Sequence, residues 1–351
     1  MKDIARDLGV SVATVSKVLR NHGDIGEETR ARVLQRMRDL NYMPNLAARG
    51  LVTGRSLTVG FVVPGLLHSF FAEIAKGLTN VFRRHGYGLI IATSEEDPEL
   101  ERQEIVQLPG RRVDALIVAS TQPTFEIRKR IDEQKVPYVL IDRRADRTSN
   151  FVGVDDHAVG VMATEHLIQA GCRRIACMCG RDLSPARGRL EGYRDALRKH
   201  SLRMPPEYTC ILGEGGDAGD NSSYAAMKEL LALREPPDGV FCFNDEFALN
   251  AMKAVLDADL RIPEDVALVG SGNIRYADSL RVPLTTVDQN AVAIGESAAR
   301  LALTMIEART PPRAKTILLE ARLVLRQSTI RGDARGAENY RFGGSIGYVK
   351  R

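Results

Sequence analysis

Residues 3–21 read DIARDLGVSVATVSKVLRN, two short helical patterns separated by a turn. Ile4, Ala5 and Leu8 fall at i, i+1 and i+4, an apolar stripe for a first helix. Gly9 supplies the positive φ that a sharp turn after a helix needs, and Val10 can drop between the helices. Ser11 is a good N-cap, and Val15, Val18 and Leu19 give the second helix a buried face. Val12, Ala13, Ser16, Lys17 and Arg20 are left outside, and none is acidic, as a surface facing phosphates requires. Such a second helix is shaped to enter the major groove of DNA. The alternative is a helical hairpin packed on another domain, which gives the outer face no reason to avoid Asp and Glu.

A third helix follows. Glu27 and Glu28 lie in its first turn, where the helix dipole favours negative charge. Val33, Leu34, Met37 and Leu40 supply its apolar face, with Arg30, Arg32, Arg36 and Arg38 between them, and Pro44 marks its end. Residues 1–57 hold 10 Lys and Arg against 6 Asp and Glu, a net +4 that equals the net charge of the whole chain. The remaining 294 residues balance. That distribution suits a DNA-binding head on a neutral body rather than a chain that coats nucleic acid along its length. Residues 45–56 contain helix formers, but Gly50 costs about 1 kcal/mol relative to Ala in a helix. So short a helix is unstable alone in water, so this segment is expected to be helical only when held. The alternative is a plain linker.

From Leu57 on, short apolar runs alternate with helical patterns. Strands are expected at Leu57–Val63, Gly88–Ala92, Val113–Ala119, Tyr138–Ile141, Arg174–Cys179, Val240–Phe243 and Val266–Gly270. Amphipathic helices lie between them, for example Phe70–His85, His157–Ala170 and Asn244–Ala258. This alternation implies parallel sheets covered by helices, and nearly 270 residues exceed one comfortable doubly wound domain. Two subdomains are therefore expected, with ligands at the carboxyl ends of strands in the cleft between them.

Enzymatic constellations are hard to find. Gly270-Ser271-Gly272 follows a strand but lacks the third glycine of a dinucleotide fingerprint, and there is no phosphate loop. The six His residues are scattered, and no metal or cofactor is expected. Cys177 and Cys179 lie two apart on a strand, hence on one face, and read as core. An odd number of Cys, the absence of a signal peptide and the absence of an 18-residue apolar run point to a reducing, cytoplasmic setting. The Gly- and Arg-rich residues 331–351 are expected to be a disordered tail.

The chain resembles the lac repressor and galactose repressor (LacI/GalR) family of bacterial transcription regulators. The resemblance is carried by Asp3-Ile4-Ala5, Gly9-Val10-Ser11 and Thr14-Val15-Ser16-Lys17-Val18-Leu19 in the head. Tyr42-x-Pro44-Asn45-x-x-Ala48-Arg49-x-Leu51 looks like that family's hinge. Further on it rests on Val113-Asp114-Ala115-Leu116-Ile117, Gly171-Cys172-Arg173-Arg174-Ile175-Ala176 and Arg189-Leu190-Glu191-Gly192-Tyr193. Asn244-Asp245, Ile262-Pro263-Glu264-Asp265-Val266, Pro283-Leu284-Thr285-Thr286-Val287 and Leu325-Arg326-Gln327-Ser328-Thr329 complete an ordered series over roughly residues 2–330.

The resemblance implies a small all-α helix-turn-helix head (1–44), a hinge helix (45–56) and an α/β two-lobed body like that of periplasmic binding proteins (57–330). The lobes would comprise about 57–155 plus 288–320, and about 156–287 plus 321–330, the chain crossing between them three times. It implies DNA contacts from Ser11, Val12, Ala13, Thr14, Ser16, Lys17 and Asn21, and from Asn45, Ala48 and Leu51 of the hinge, Leu51 wedging into the minor groove. For a small-molecule effector it implies Phe70, Phe71, Asp142, Arg189, Phe241, Asn244 and Gln289. Asn244 and Asp245 could instead cap the following helix, a role read here onto Asp245.

Two departures stand out. Where the family has aromatic-Asp-Asp/Asn after a strand, this chain has Ser271-Gly272-Asn273. The aromatic usual before Ser222 is replaced by a Gly-rich loop, so an ordinary hexose is less secure as the ligand. The function implied is a ligand-responsive transcriptional regulator, a repressor, binding a near-palindromic operator as a dimer or larger homo-oligomer. The effector would be a sugar, a sugar derivative or a similar polar metabolite. The alternative is a solute-binding protein of the same two-lobed fold.

Overall fold

The computed structural model describes residues 1–331 apart from 20–22, 43–53, 68, 125–127, 146–147, 213–221, 309 and 311. The hinge residues Asn45, Ala48 and Leu51, the head residue Asn21 and the tail from 332 lie outside the described residues. The polypeptide divides into two compact units, Met1–Ser56 and Leu57–Arg351.

The first unit contains helices α1 (Lys2–Leu8), α2 (Val12–Leu19) and α3 (Glu27–Asp39). Gly9 closes α1 at φ +66°, so the chain reverses without Cβ strain. The Ser11 hydroxyl accepts from the Thr14 N–H at 3.0 Å and caps α2. Ile4, Ala5, Val15, Val18, Val33 and Met37 form the core, with Leu8, Val10 and Leu19 packed against it. Arg36 ties α3 to α1 through Asp7, at 2.5 and 3.0 Å. Leu34 and Leu40, expected on the apolar face of α3, are instead 38% and 41% exposed. One helix face meets the other two helices, and Val33 and Met37, a turn apart, fill it.

The second unit alternates strands and helices. Its first half runs β1 (Thr58–Val63), α4 (Ser69–Arg84), β2 (Gly88–Thr93), α5 (Pro98–Gly110), β3 (Ala115–Val118), α6 (Arg128–Gln134), β4 (Tyr138–Ile141) and β5 (Phe151–Val154). Then come α7 (Asp156–Gln169), β6 (Ile175–Cys179), α8 (Ser184–Lys199), β7 (Thr209–Ile211), α9 (Ser222–Leu231), β8 (Gly239–Cys242), α10 (Asp245–Asp257), β9 (Ala267–Ser271) and β10 (Thr285–Asp288). The chain closes with α11 (Ala291–Glu307), β11 (Thr316–Leu319) and β12 (Arg322–Val324).

These strands build two six-stranded sheets of matching order, β11-β5-β4-β3-β1-β2 and β12-β10-β9-β8-β6-β7. All pairings are parallel except β12 against β10. The central strands are buried along their whole length, as parallel strands covered on both faces must be. The chain passes between the sheets after β5, after β10 and between β11 and β12. Cys177 and Cys179 are buried on one face of β6 with their Sγ atoms 3.2 Å apart.

Each lobe carries a helix pair that crosses glycine to glycine. In the first, Gly77 of α4 lies against the Val292 carbonyl of α11, and Gly295 against that of Ile74. In the second, Gly160 of α7 lies against the Arg189 carbonyl of α8, and Gly192 against that of His157. A Cβ on any of the four would stand 2.1–2.2 Å from a backbone oxygen, so only glycine permits the approach.

Candidate functional site

The carboxyl ends of the strands face one another across a cavity of about 110 Å3. From the first lobe it is lined by Phe70 and Phe71 at the start of α4, by Glu96 beyond β2, and by Asp142 and Arg143 beyond β4. From the second come Arg181, Arg189, Phe243, Asn244, Phe247 and Ser271, with Gln289 at a crossover.

Arg189 is the best-fixed polar group of the wall. It is 4% exposed and its position follows from the tight α7–α8 crossing. Nε donates to Asp156 Oδ1 at 3.0 Å, Nη1 to the Phe243 carbonyl at 2.7 Å and Nη2 to Gln289 Oε1 at 2.9 Å. Its guanidinium lies over the Phe243 ring, 4.6 Å from the centroid. Burial pushes the Asp156 carboxyl up to about 6, with the Arg189 charge pulling the other way. Gln289 in turn donates to Ser271 Oγ at 3.1 Å. The second buried carboxyl, Asp245, is also pushed up to about 6 by burial, opposed by hydrogen bonds from Thr286 Oγ1 at 2.5 Å and Ile274 N at 2.8 Å.

Across the cavity Phe70 and Phe71 meet edge to face, with centroids 5.4 Å apart. Asp142 adopts φ +56°, an unfavourable conformation for a residue with a Cβ, at the point where β4 leaves the sheet. Its carboxylate lies 3.9 Å from Arg143 Nε, so the ion pair and the place in the wall coexist. Arg143 and Arg181 both bind Glu96.

Six of the seven residues expected at a ligand site, Phe70, Phe71, Asp142, Arg189, Asn244 and Gln289, line the cavity. Phe241 does not: it sits inside β8, fully buried in the core. Phe243, the first residue past the carboxyl end of β8, faces the cavity instead, because there the backbone leaves the sheet. The expected cap also changes. Asn244 Oδ1 accepts from Phe247 N at 2.8 Å and caps α10, whereas Asp245 turns inward to Thr286 and Ile274. Asn273 does not line the cavity; it bridges Asp288 and Arg326 at 3.1 and 2.8 Å. Glu96, Arg181, Phe243 and Phe247 escaped the sequence reading. Glu96, Arg181 and Phe243 lie within three residues of a strand's carboxyl end, a positional signal that was available.

In the head, Ser11, Val12, Ala13 and Lys17 are exposed and Thr14 and Ser16 half-buried on the outer side of α2. Lys17 Nζ pairs with Asp24 at 2.5 Å, both side chains about half exposed.

Residues 1–45 match the lacI family of bacterial regulatory proteins, and residues 164–329 a periplasmic binding protein-like domain. The ribose operon repressor of Escherichia coli K12 is 34% identical over 303 residues, covering 85% of this chain and 90% of that protein. The chain belongs to the LacI family. The transcriptional repressor PurR of Haemophilus influenzae is 31% identical over 310 residues, covering 87% and 90% of the two chains. The fold is that of the lac repressor dimer bound to operator, with a TM-score of 0.79, 24% identity, and 93% and 98% of the chains covered. LacI-family proteins are ligand-responsive transcription repressors rather than enzymes, and they bind operator DNA and small effectors as dimers. A matched DNA-binding head removes the alternative of a solute-binding protein.

Proposed function

We propose that this LacI-family chain acts in the cytoplasm as a homodimer that represses transcription from a near-palindromic operator. The inter-lobe cavity would hold a small sugar-like effector. Arg189 carries this reading: a buried guanidinium fixed by three partners on a cavity wall, with Gln289 at a lobe crossover among them. Asp142 and Asn244 supply further polar groups, and Phe70 and Phe71 supply a face for a ring. In the head, Ser11, Val12, Ala13, Thr14, Ser16 and Lys17 form the surface offered to the major groove, Lys17 exchanging Asp24 for DNA. The similarity to a ribose operon repressor makes a pentose the first effector to test.

Effector binding changes lobe closure, and lobe closure changes how the heads meet DNA. Such coupling is reciprocal, so operator must change effector affinity by the factor by which effector changes operator affinity. The test is calorimetric titration of D-ribose and related pentoses into the protein with and without operator duplex. Unequal affinities in the two titrations support the reading; identical ones sink it.

A further inference from the structure

Glu96 sits three residues past the end of β2, at φ +58°, with its side chain 13% exposed at the cavity wall. Its carboxylate is gripped by two guanidinium groups that also line the cavity. Arg143, of the first lobe, binds it with both terminal nitrogens: Nη2 to Oε1 at 2.6 Å and Nη1 to Oε2 at 2.9 Å. Arg181, which follows β6 in the second lobe, donates Nη1 to the same Oε2 at 3.1 Å and to the Glu96 carbonyl at 2.9 Å. Its Nη2 reaches the Thr121 carbonyl at 3.4 Å. Two arginines, one from each lobe, converging on one carboxylate are the arrangement that binds a carboxylate or phosphate from solution.

We propose that Glu96 occupies an anion site built from Arg143 and Arg181, and thereby restricts the cavity to uncharged ligands. The proposal rests on the reading of the cavity as the effector site. The charge inventory supports it. The third arginine of the wall, Arg189, is already matched by Asp156. The wall also carries Asp142, Asp245 and Glu246, so among the described lining residues carboxylates outnumber guanidinium groups. An anionic ligand would add buried negative charge with no guanidinium left to receive it, and burying an unpaired charge is strongly unfavourable. A neutral polyol meets no such barrier: it can donate hydroxyls to Asp142 and lay an apolar face on Phe70 and Phe71. Arg181 also reaches the first-lobe acceptors Glu96 and Thr121, so the same pair joins the lobes at the cavity wall.

The test is a titration of the full chain with inorganic phosphate at constant ionic strength, read by calorimetry and thermal shift. Wild type is expected to show no saturable millimolar site. Glu96→Gln removes the carboxylate charge that neutralises both guanidinium groups and leaves an amide that an anion can displace, and is expected to bind phosphate at least about tenfold more tightly than wild type. The double variant Glu96→Gln with Arg181→Met is expected to lose that site. A saturable site of equal affinity in wild type, or a folded Glu96→Gln protein that gains none, overturns the proposal. If Glu96→Gln does not fold, wild type decides: D-ribose binding about tenfold or more tighter than D-ribose 5-phosphate supports it, and the reverse order overturns it. The phosphate titration uses no operator and no effector, so its outcome is independent of the coupling experiment.

Discussion

Replacing Gly160 by Ala adds one methyl group where two backbones already touch. The new Cβ would stand 2.1 Å from the Arg189 carbonyl oxygen and 2.8 Å from its carbonyl carbon. Ordinary contact begins near 3.4 Å, so α8 must withdraw from α7 by about 1.3 Å. The obstructing atoms are backbone and cannot rotate aside, which places the overpacking penalty at the upper end of about 1–3 kcal/mol. Ala returns about 1 kcal/mol of helix propensity over Gly. The net expectation is a body destabilised by about 2 kcal/mol in urea unfolding followed by circular dichroism. The same movement carries Arg189 away from Asp156, Phe243 and Gln289, whose bonds of 2.7–3.0 Å cannot stretch that far and survive. Ligand binding in the cavity should therefore weaken more than stability alone accounts for, while isolated contacts of the head with DNA persist. Gly192→Ala, 2.1 Å from the His157 carbonyl, should do the same, and the pair should be less than additive because one withdrawal relieves both clashes. A Gly160→Ala protein as stable as wild type with unchanged pentose affinity would refute the reasoning.

Arg189→Met strands the Asp156 carboxylate and should cost about 3–5 kcal/mol, with part recovered in Asp156→Asn/Arg189→Met; no recovery in denaturant titrations would show that the pair is not the cause. Asp245 has a folded pKa of about 6 against 3.8 unfolded, so its protonation stabilises the fold at low pH and that contribution is lost as pH rises through 6. The stability difference between wild type and Asp245→Asn should therefore shift in favour of wild type by about 1 kcal/mol from pH 7 to pH 5, and a pH-independent difference contradicts this. His166 works in the opposite direction: burial lowers it to about 4 from 6.5, so the fold loses stability as pH falls through 6.5 toward 4, a loss that His166→Asn should remove. Lys17→Ala should weaken operator binding, and Asp24→Asn, which frees Lys17, should strengthen it, both read from affinity as a function of salt. Equal salt slopes for wild type and Lys17→Ala would place Lys17 away from phosphate.

The helix-turn-helix was legible because its determinants are local: Gly9, Ser11 and the apolar spacing act within one or two turns. The central strands were legible as apolar runs, since parallel strands are buried on both faces. Strands β5, β7, β10, β11 and β12 were missed: β7, β11 and β12 are edge strands of three or four residues with partly exposed patterns, whereas β5 and β10 are buried but only four residues long, FVGV and TTVD, with a glycine or polar residues breaking the apolar run. The site divides the same way. Arg189 could be placed from its motif, but the grip of Arg181 on Glu96 joins residues 85 apart in sequence and 24% and 13% exposed, a pairing that only the meeting of the two lobes creates. Phe241 and Phe243 differ by two positions, and which one faces the cavity depends on where β8 ends. Asn244 and Asp245 are both good caps; Thr286 and the Ile274 N–H decided between them by claiming Asp245.

The two sheets share one strand order, yet each takes a covering helix from the chain that has just left the other. Helix α7 follows β5 of the first sheet and packs on the second; α11 follows β10 of the second and packs on α4 of the first. On the ribosome, this exchange makes the first lobe wait. Its α4 is complete at residue 84, but the surface around Ile74 and Leu78 is not covered until α11 emerges some 200 residues later. At about 5–20 residues per second that is on the order of 10–40 s of exposed apolar helix, long enough for a chaperone to bind it. The first lobe is therefore not a separate folding unit in the order of synthesis: it closes only after strands β6 to β10 of the second have been made.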